Sequence, residues 1–185
     1  MKMIIIGGSA GAFNLIISIL NGLDKEMKVP IIIILHRLKS AKTILEDFLQ
    51  SQSHYIVKEA EDKEFVKAGH LYTTPSDYHL LLNENLSFSL DASEEVNYCR
   101  PSIDVSFESF SSVLRENSCG ILLSGANQDG AMGLKMIAEN GGKTIVQDSK
   151  EAEFSSMPRA AIEIYKNHTG CTLNHIIKKM NNYAK

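Results

Sequence analysis

The chain has 185 residues, 44% of them hydrophobic and 22% charged, and a formal net charge of −3. That length is enough for one domain with a buried core, and the charge balance lacks the basic excess that draws a protein to nucleic acid. No apolar run reaches the roughly 18 residues that a bilayer span requires. The start does not read as a secretory signal, because Lys2 precedes only a short apolar stretch that Gly7-Gly8-Ser9 interrupts. Cys99, Cys119 and Cys171 are odd in number and have no paired spacing, which argues against a disulfide framework or a zinc site and for a reducing compartment. The expectation is a single cytosolic domain over residues 1–185, with no membrane insertion.

Met3 to Ile6 is a short apolar run that ends in Gly7-Gly8-Ser9-Ala10-Gly11, and Ala12 to Leu20 follows at helical spacing. Asn21-Gly22 is a turn signal, and Ile31 to Leu35 is an unbroken β-branched run, the form a strand takes when both faces of its sheet are covered. Strand, glycine turn, helix and strand make a βαβ unit, which implies a parallel sheet. Residues 41–50 read as a second helix with Ile44, Leu45, Phe48 and Leu49 inward. Leu71 to Thr73 is a short strand, and Leu80 to Leu82 and Leu86 to Leu90 flank Asn83-Glu84-Asn85 as an antiparallel hairpin. Asp91 to Asn97 reads as a surface loop, Asp104 to Arg115 as a helix, and Ile121 to Leu123 as a buried strand. Met132 to Glu139 is a helix closed by Gly141-Gly142, and Thr144 to Val146 is another strand. Pro158 to Ile164 is a helix with proline in its first turn, and Asn174 to Asn182 is the last. The predicted fold class is α/β: a doubly wound, mainly parallel sheet flanked by helices, with an antiparallel hairpin excursion.

In such sheets, sites lie beyond the carboxyl ends of the strands. Ser9, His36 and Asp129 all fall at such ends, and nucleophile, base and carboxylate are the parts of a triad. Residues 7–11 fit G-x-S-x-G, a tight bend in which small neighbours let the serine project beside a helix N-terminus. The same turn also suits anion binding, although it lacks the second and third glycines of a dinucleotide loop and the Lys-Ser/Thr of a P-loop. His36 is either the base or a cap on a backbone carbonyl. Among its rivals His54, His70, His79, His168 and His175, only His79 shares a nearby polar loop. Asp129 is either the imidazole's orienting partner or the N-cap of the helix after it. Asp77, Asp104 and Asp148 compete with it, Asp104 reading more naturally as a first-turn helix residue.

These residues resemble the catalytic domain of the chemotaxis receptor-modifying protein-glutamate methylesterases. The resemblance runs through GGSAGA at 7–12, LHR at 35–37, HLYTTPSDYHLLL at 70–82, RPSIDVSF at 100–107, LLSGANQDGAMG at 122–133 and TIVQDSKEAEFSSMPRAAI at 144–162. Matched position by position, it places the family's nucleophile at Ser9, its histidine at His36 and its aspartate at Asp129. It implies attack of Ser9 on the methyl ester of a receptor glutamate, a glutamyl-enzyme ester, deamidation of certain glutamines by the same route, and no metal or organic cofactor. The implied partner is the cytoplasmic part of a methyl-accepting chemotaxis receptor. The backbone amides of Ala10 and Ala126 are candidate oxyanion donors. Arg100 either orients substrate or pairs with a structural carboxylate, and Met157-Pro158 shapes the pocket rim or the helix start.

Three residues depart from the family pattern. Ala10 stands for a threonine, Ala12 for a second glycine and Ala126 for a common methionine, which bears on rate and substrate fit rather than on the triad. Family members often carry an N-terminal receiver domain, whereas this chain opens on the catalytic strand, so the expectation is constitutive activity or regulation in trans. A non-catalytic docking module on the same fold and a small-molecule esterase are the alternatives.

Overall fold

Met3-Ile4-Ile5-Ile6 and Ile31 to Leu35 offer no polar side chain to either face, so both must lie at the centre of a sheet covered on both sides. The computed structural model, which describes residues 1–36 and 45–185, places them there. Strands β1 (Met3–Gly8) and β2 (Ile31–Leu35) are buried along their length. They sit within a seven-stranded parallel sheet with β3 (Ile56–Glu59), β4 (His70–Thr73), β7 (Ser118–Leu122), β8 (Lys143–Gln147) and β9 (Gly170–Cys171), in the order β3-β4-β2-β1-β7-β8-β9. A second, two-stranded antiparallel sheet pairs β5 (His79–Leu82) with β6 (Phe88–Asp91), His79 opposite Asp91 and Leu82 opposite Phe88. The expected hairpin therefore starts its second strand at Phe88 rather than Leu86, whose φ of 64° places it in the turn.

The alternation of side chains on β1 divides the core in two. Ile4 and Ile6 pack with Ile16 and Ile19 of α1 (Phe13–Asn21) and with Ile176 and Met180 of α6 (Leu173–Ala184). Met3 and Ile5 pack on the other face with Phe107 and Phe110 of α3 (Ile103–Leu114) and with Leu134 of α4 (Ala131–Glu139). Each such side chain stabilises the fold by about 1.5–3 kcal/mol on burial. The hairpin rides on α3, where the Leu82 amide donates to Ser109 Oγ at 3.0 Å.

One expected core position is corrected, and two edge strands are added. Of the helix expected over 41–50, the described part is α2 (Leu45–Ser51); Ile44 lies outside the described residues. Leu45 and Leu49 are buried in it, but Phe48 is exposed and meets the ring of Phe13 at 5.6 Å, so it does not belong to the inward face. Edge strands β3 and β9 were not expected: β3 is only half covered, with Ile56 exposed, and β9 is two residues long. At the opposite end of the sheet from the strand tips, Lys2 Nζ donates to the Tyr183 carbonyl at 2.9 Å and lies over the Tyr183 ring.

Candidate active site

The sheet winds one way from β1 to β2 and the other way through β7, so the crevice at their carboxyl ends is the topological switch point. Gly8 pairs with Leu35 across β1 and β2, and Gly7 pairs with Leu122 across β1 and β7. Ser9 and His36 each stand one residue past a matched pair, on neighbouring strands about 4.8 Å apart. The ladder continues beyond the strands: Ser9 N–H donates to the Ser124 carbonyl and Leu123 N–H to that of Gly7, both at 2.9 Å.

The bend after Ser9 is built on close approach. Gly11 has φ 75°, and a Cβ there would lie 2.7 Å from Glu153 Cβ and 2.8 Å from Ser124 Oγ. A Cβ on Gly8 would come within 2.6 Å of the methyl of Ala12, which is itself fully buried. Ala12 therefore fits because Gly8 leaves it room. The amides of Ala10 and Ala126 donate to no partner among the described residues, and both residues are exposed at the crevice strands' ends. Chemically, two such amides can receive an oxyanion.

His36 Nε2 lies 2.8 Å from Asp129 Oδ2, with the imidazole mostly buried and the carboxylate fully so. Burial alone would raise the Asp129 pKa, but His36, the amides of Ile103 and Asp104 and the Ser102 hydroxyl together hold it below its ordinary value. An anionic partner accepts, so Nε2 carries the proton of the neutral ring and Nδ1 presents the lone pair. Nδ1 faces Cys99 Sγ at 3.6 Å, and Asn127 Nδ2 donates to the same sulfur at 3.3 Å. Among the described residues no hydrogen bond joins the Ser9 hydroxyl to this ring. The structure thus brings His36 and Asp129 into contact and sets Ser9 on the adjoining strand end.

Asp129 does not cap the helix after it, the alternative its position allowed. That N-cap is Gly130, at φ 91° and with no side-chain bond. Its carboxylate instead closes the start of α3, accepting from Ile103 N at 2.7 Å, Asp104 N at 3.1 Å and Ser102 Oγ at 2.8 Å. Asp104, in the first turn of α3, answers across the gap: its Oδ1 accepts from Gly133 N of α4 at 2.7 Å. Each helix start is thus held by a carboxylate anchored at the other, which suits the positive end of a helix.

Burial and the nearby Asp129 charge push the Asp104 carboxyl up to about 6, against the pull of the Gly133 amide. A carboxyl raised in the folded state holds its proton where the unfolded chain has lost it, so its contribution to stability falls as pH rises from about 4 to about 6 and is flat above that. Asp104→Asn removes that dependence. Melting curves of the two proteins are expected to show the variant's relative stability greatest above pH 6, shrinking as pH drops towards 4.

Arg100 makes the carboxylate pairing that was one of its two alternatives. Its Nε and Nη2 donate to Asp77 Oδ1 at 2.9 and 2.6 Å, and Nη1 to the carbonyls of Ala92 and Ser93. It ties residues 92 and 93 to Asp77 through one side chain. Arg100→Ala is expected to cost about 1–3 kcal/mol, lowering Tm by about 2–12 °C, while kcat/KM of the folded fraction changes far less; thermal melts beside rate measurements check it.

The rival bases are otherwise engaged. His79 is buried, accepts the Ser102 amide on Nδ1 at 3.1 Å and turns Nε2 to the Glu94 carbonyl at 3.1 Å. His168 directs Nδ1 to the Ala161 carbonyl, His54 Nε2 to that of Met27 and His70 Nδ1 to that of Ala68. Asp148 accepts the Lys150 amide. Met157 is fully buried against Gly125 inside α5 (Ser156–Ile164), with Pro158 in its first turn. Two contributors escaped sequence reasoning. Ser102 carried a signal, a serine just before a helical pattern; Cys99 carried none.

The chain matches the family model described as CheB methylesterase over residues 4–180. The chain belongs to the CheB methylesterase family. It is 32% identical to a protein-glutamate methylesterase/protein-glutamine glutaminase of Thermotoga maritima, matching over 88% of this chain and 48% of that one. It is 44% identical to a Leptospira interrogans protein provisionally given the same name, over 88% of this chain and 84% of the relative. The crystal structure of the Thermotoga maritima CheB methylesterase catalytic domain superimposes with a TM-score of 0.91 at 30% identity, covering 98% of this chain and 97% of that one. The CheB methylesterase match thus spans the whole sheet, whereas the chain extends over about half the length of the full Thermotoga relative. No helix among the described residues is long and apolar enough to cross a membrane.

Proposed function

We propose that the chain hydrolyses the methyl esters of glutamate side chains on methyl-accepting chemotaxis receptors, and deamidates receptor glutamines by the same route. The contact that carries this reading is His36 against Asp129 at the switch point, with Ser9 on the neighbouring strand end. In the proposed reaction Nδ1 of His36 takes the Ser9 proton as Oγ attacks the ester carbonyl. Asp129 stabilises the resulting imidazolium through Nε2–H. The developing oxyanion lies at the Ala10 and Ala126 amides. The imidazolium protonates methanol on departure, and water, deprotonated by the same nitrogen, releases the glutamate carboxylate.

Beside the crevice an open groove of about 470 Å³ runs between Tyr98, Asn127, Gln128 and Arg159. Its breadth suits a protein segment better than a small ester. Tyr98, 97% exposed at φ 60°, stands at its edge.

A second reading has one observation in its favour: Cys99, not Ser9, is the group in contact with Nδ1. Against it, burial and the Asp129 charge raise the Cys99 pKa, which keeps the thiol protonated and a poor nucleophile. Incubation with membranes carrying radiolabelled methyl-esterified receptor, followed by methanol release, decides the reaction class. Release that small esters do not compete away supports the receptor as substrate; none from folded protein with several receptors moves the reading to a docking module.

A further inference from the structure

We propose that Cys99 and His36 form a binding site for a thiophilic divalent cation of the zinc class, and that its occupancy silences the esterase. The inference rests on the reading above in one respect, that Nδ1 of His36 is the working base.

The ligand atoms are already in place. Zinc bound at about 2.3 Å to sulfur and about 2.0–2.1 Å to imidazole nitrogen holds the two about 3.5–3.6 Å apart at the tetrahedral angle. Cys99 Sγ and His36 Nδ1 are 3.6 Å apart. One donor from Cys99, one from His36 and one from Asp129 all lie within 4.8 Å of one another. Asp129 serves from behind rather than as a ligand: its oxygens are taken by His36 Nε2, Ile103 N, Asp104 N and Ser102 Oγ. A carboxylate on the far nitrogen of a ligating imidazole fixes its tautomer and increases its basicity, the usual surrounding of a protein-bound zinc. Both Cys99 and His36 are partly exposed, so a cation can reach them and keep water in its remaining positions.

Binding exchanges bonds simply. The Cys99 S–H breaks and its proton passes to buffer as sulfur bonds the metal, Nδ1 gives its lone pair without gaining or losing a proton, and Nε2–H stays on Asp129. One proton leaves per cation bound. With its lone pair committed, Nδ1 cannot deprotonate Ser9.

Cobalt(II) is the probe, because a thiolate ligand adds a charge-transfer absorption in the near ultraviolet. Metal-free protein titrated with cobalt is expected to gain that band at one equivalent. Cys99→Ser, checked for folding by its melting curve, is expected to lose it, and His36→Asn to weaken binding at least tenfold. A band that persists in Cys99→Ser, or none in the wild type, overturns the site. In the second arm, zinc is expected to abolish methanol release by the wild type, with recovery on chelation and at least tenfold less sensitivity in Cys99→Ser. Equal sensitivity of the two proteins overturns the control of activity. The optical arm uses no substrate, so it gives its answer even if the esterase reading fails.

Discussion

Ser9→Ala is expected to lower methanol release from methyl-esterified receptor by about 10⁴-fold or more, because it removes the hydroxyl proposed as the nucleophile. The same change is expected to leave the melting temperature nearly untouched. Ser9 is only partly buried, and its bonds to the fold run through its backbone: its N–H to the Ser124 carbonyl and its own carbonyl to Ala12 N. Loss of rate with unchanged stability is the signature of a group that acts on substrate alone. Retention of more than a tenth of the wild-type rate would falsify the nucleophile assignment and bring Cys99 forward.

Asp129→Asn is expected to fail on both counts. The amide keeps the geometry but not the charge, and an orienting aspartate replaced in this way typically costs about 10⁴ in kcat. The structural cost follows from how the carboxylate is used. Oδ1 accepts from Ser102 Oγ and Asp104 N, and Oδ2 from His36 Nε2 and Ile103 N. An asparagine accepts through one atom only and turns an NH₂ group toward two donors. Loss of charge-assisted bonds of this kind costs about 2–3 kcal/mol, a drop in Tm of about 4–12 °C for a chain of this size. Parallel melts and methanol assays of the Ser9 and Asp129 variants therefore separate a residue that reacts from one that also holds two helices. An Asp129→Asn protein that melts with the wild type would show that α3 finds its start without the carboxylate.

The parts of the fold that could be read from the sequence were those whose burial left no choice. Ile31 to Leu35 has nothing to offer water on either face, so its place beside β1 followed from its composition. The edge strand β3 was not legible, because Ile56 is exposed and Lys58 pairs with Glu61 and Glu64, a polar pattern that reads equally as a loop. Phe48 misled for the opposite reason: its helical spacing pointed inward, but it shares the surface with Phe13.

At the site, Ser9, His36 and Asp129 could each be nominated from local pattern and then tied together by family resemblance. What local pattern could not supply was the reach of each side chain. Asp129 serves a helix 26 residues earlier in the chain, by the separation of its bond to Ile103. Cys99 meets an imidazole 63 positions away, so no spacing rule for metal ligands applies to the pair. Long-range contacts of this kind are made by the sheet order, which brings β2 and the approach to α3 to the same crevice.

The contact of Lys2 with Tyr183 gives the molecule a front and a back. The proposed chemistry lies at the carboxyl tips of the strands, and the Lys2–Tyr183 contact lies at their roots, about 20 Å away along a six-residue strand. A fluorophore or surface tether attached at residue 2 or 183 therefore sits behind the sheet and leaves the crevice open.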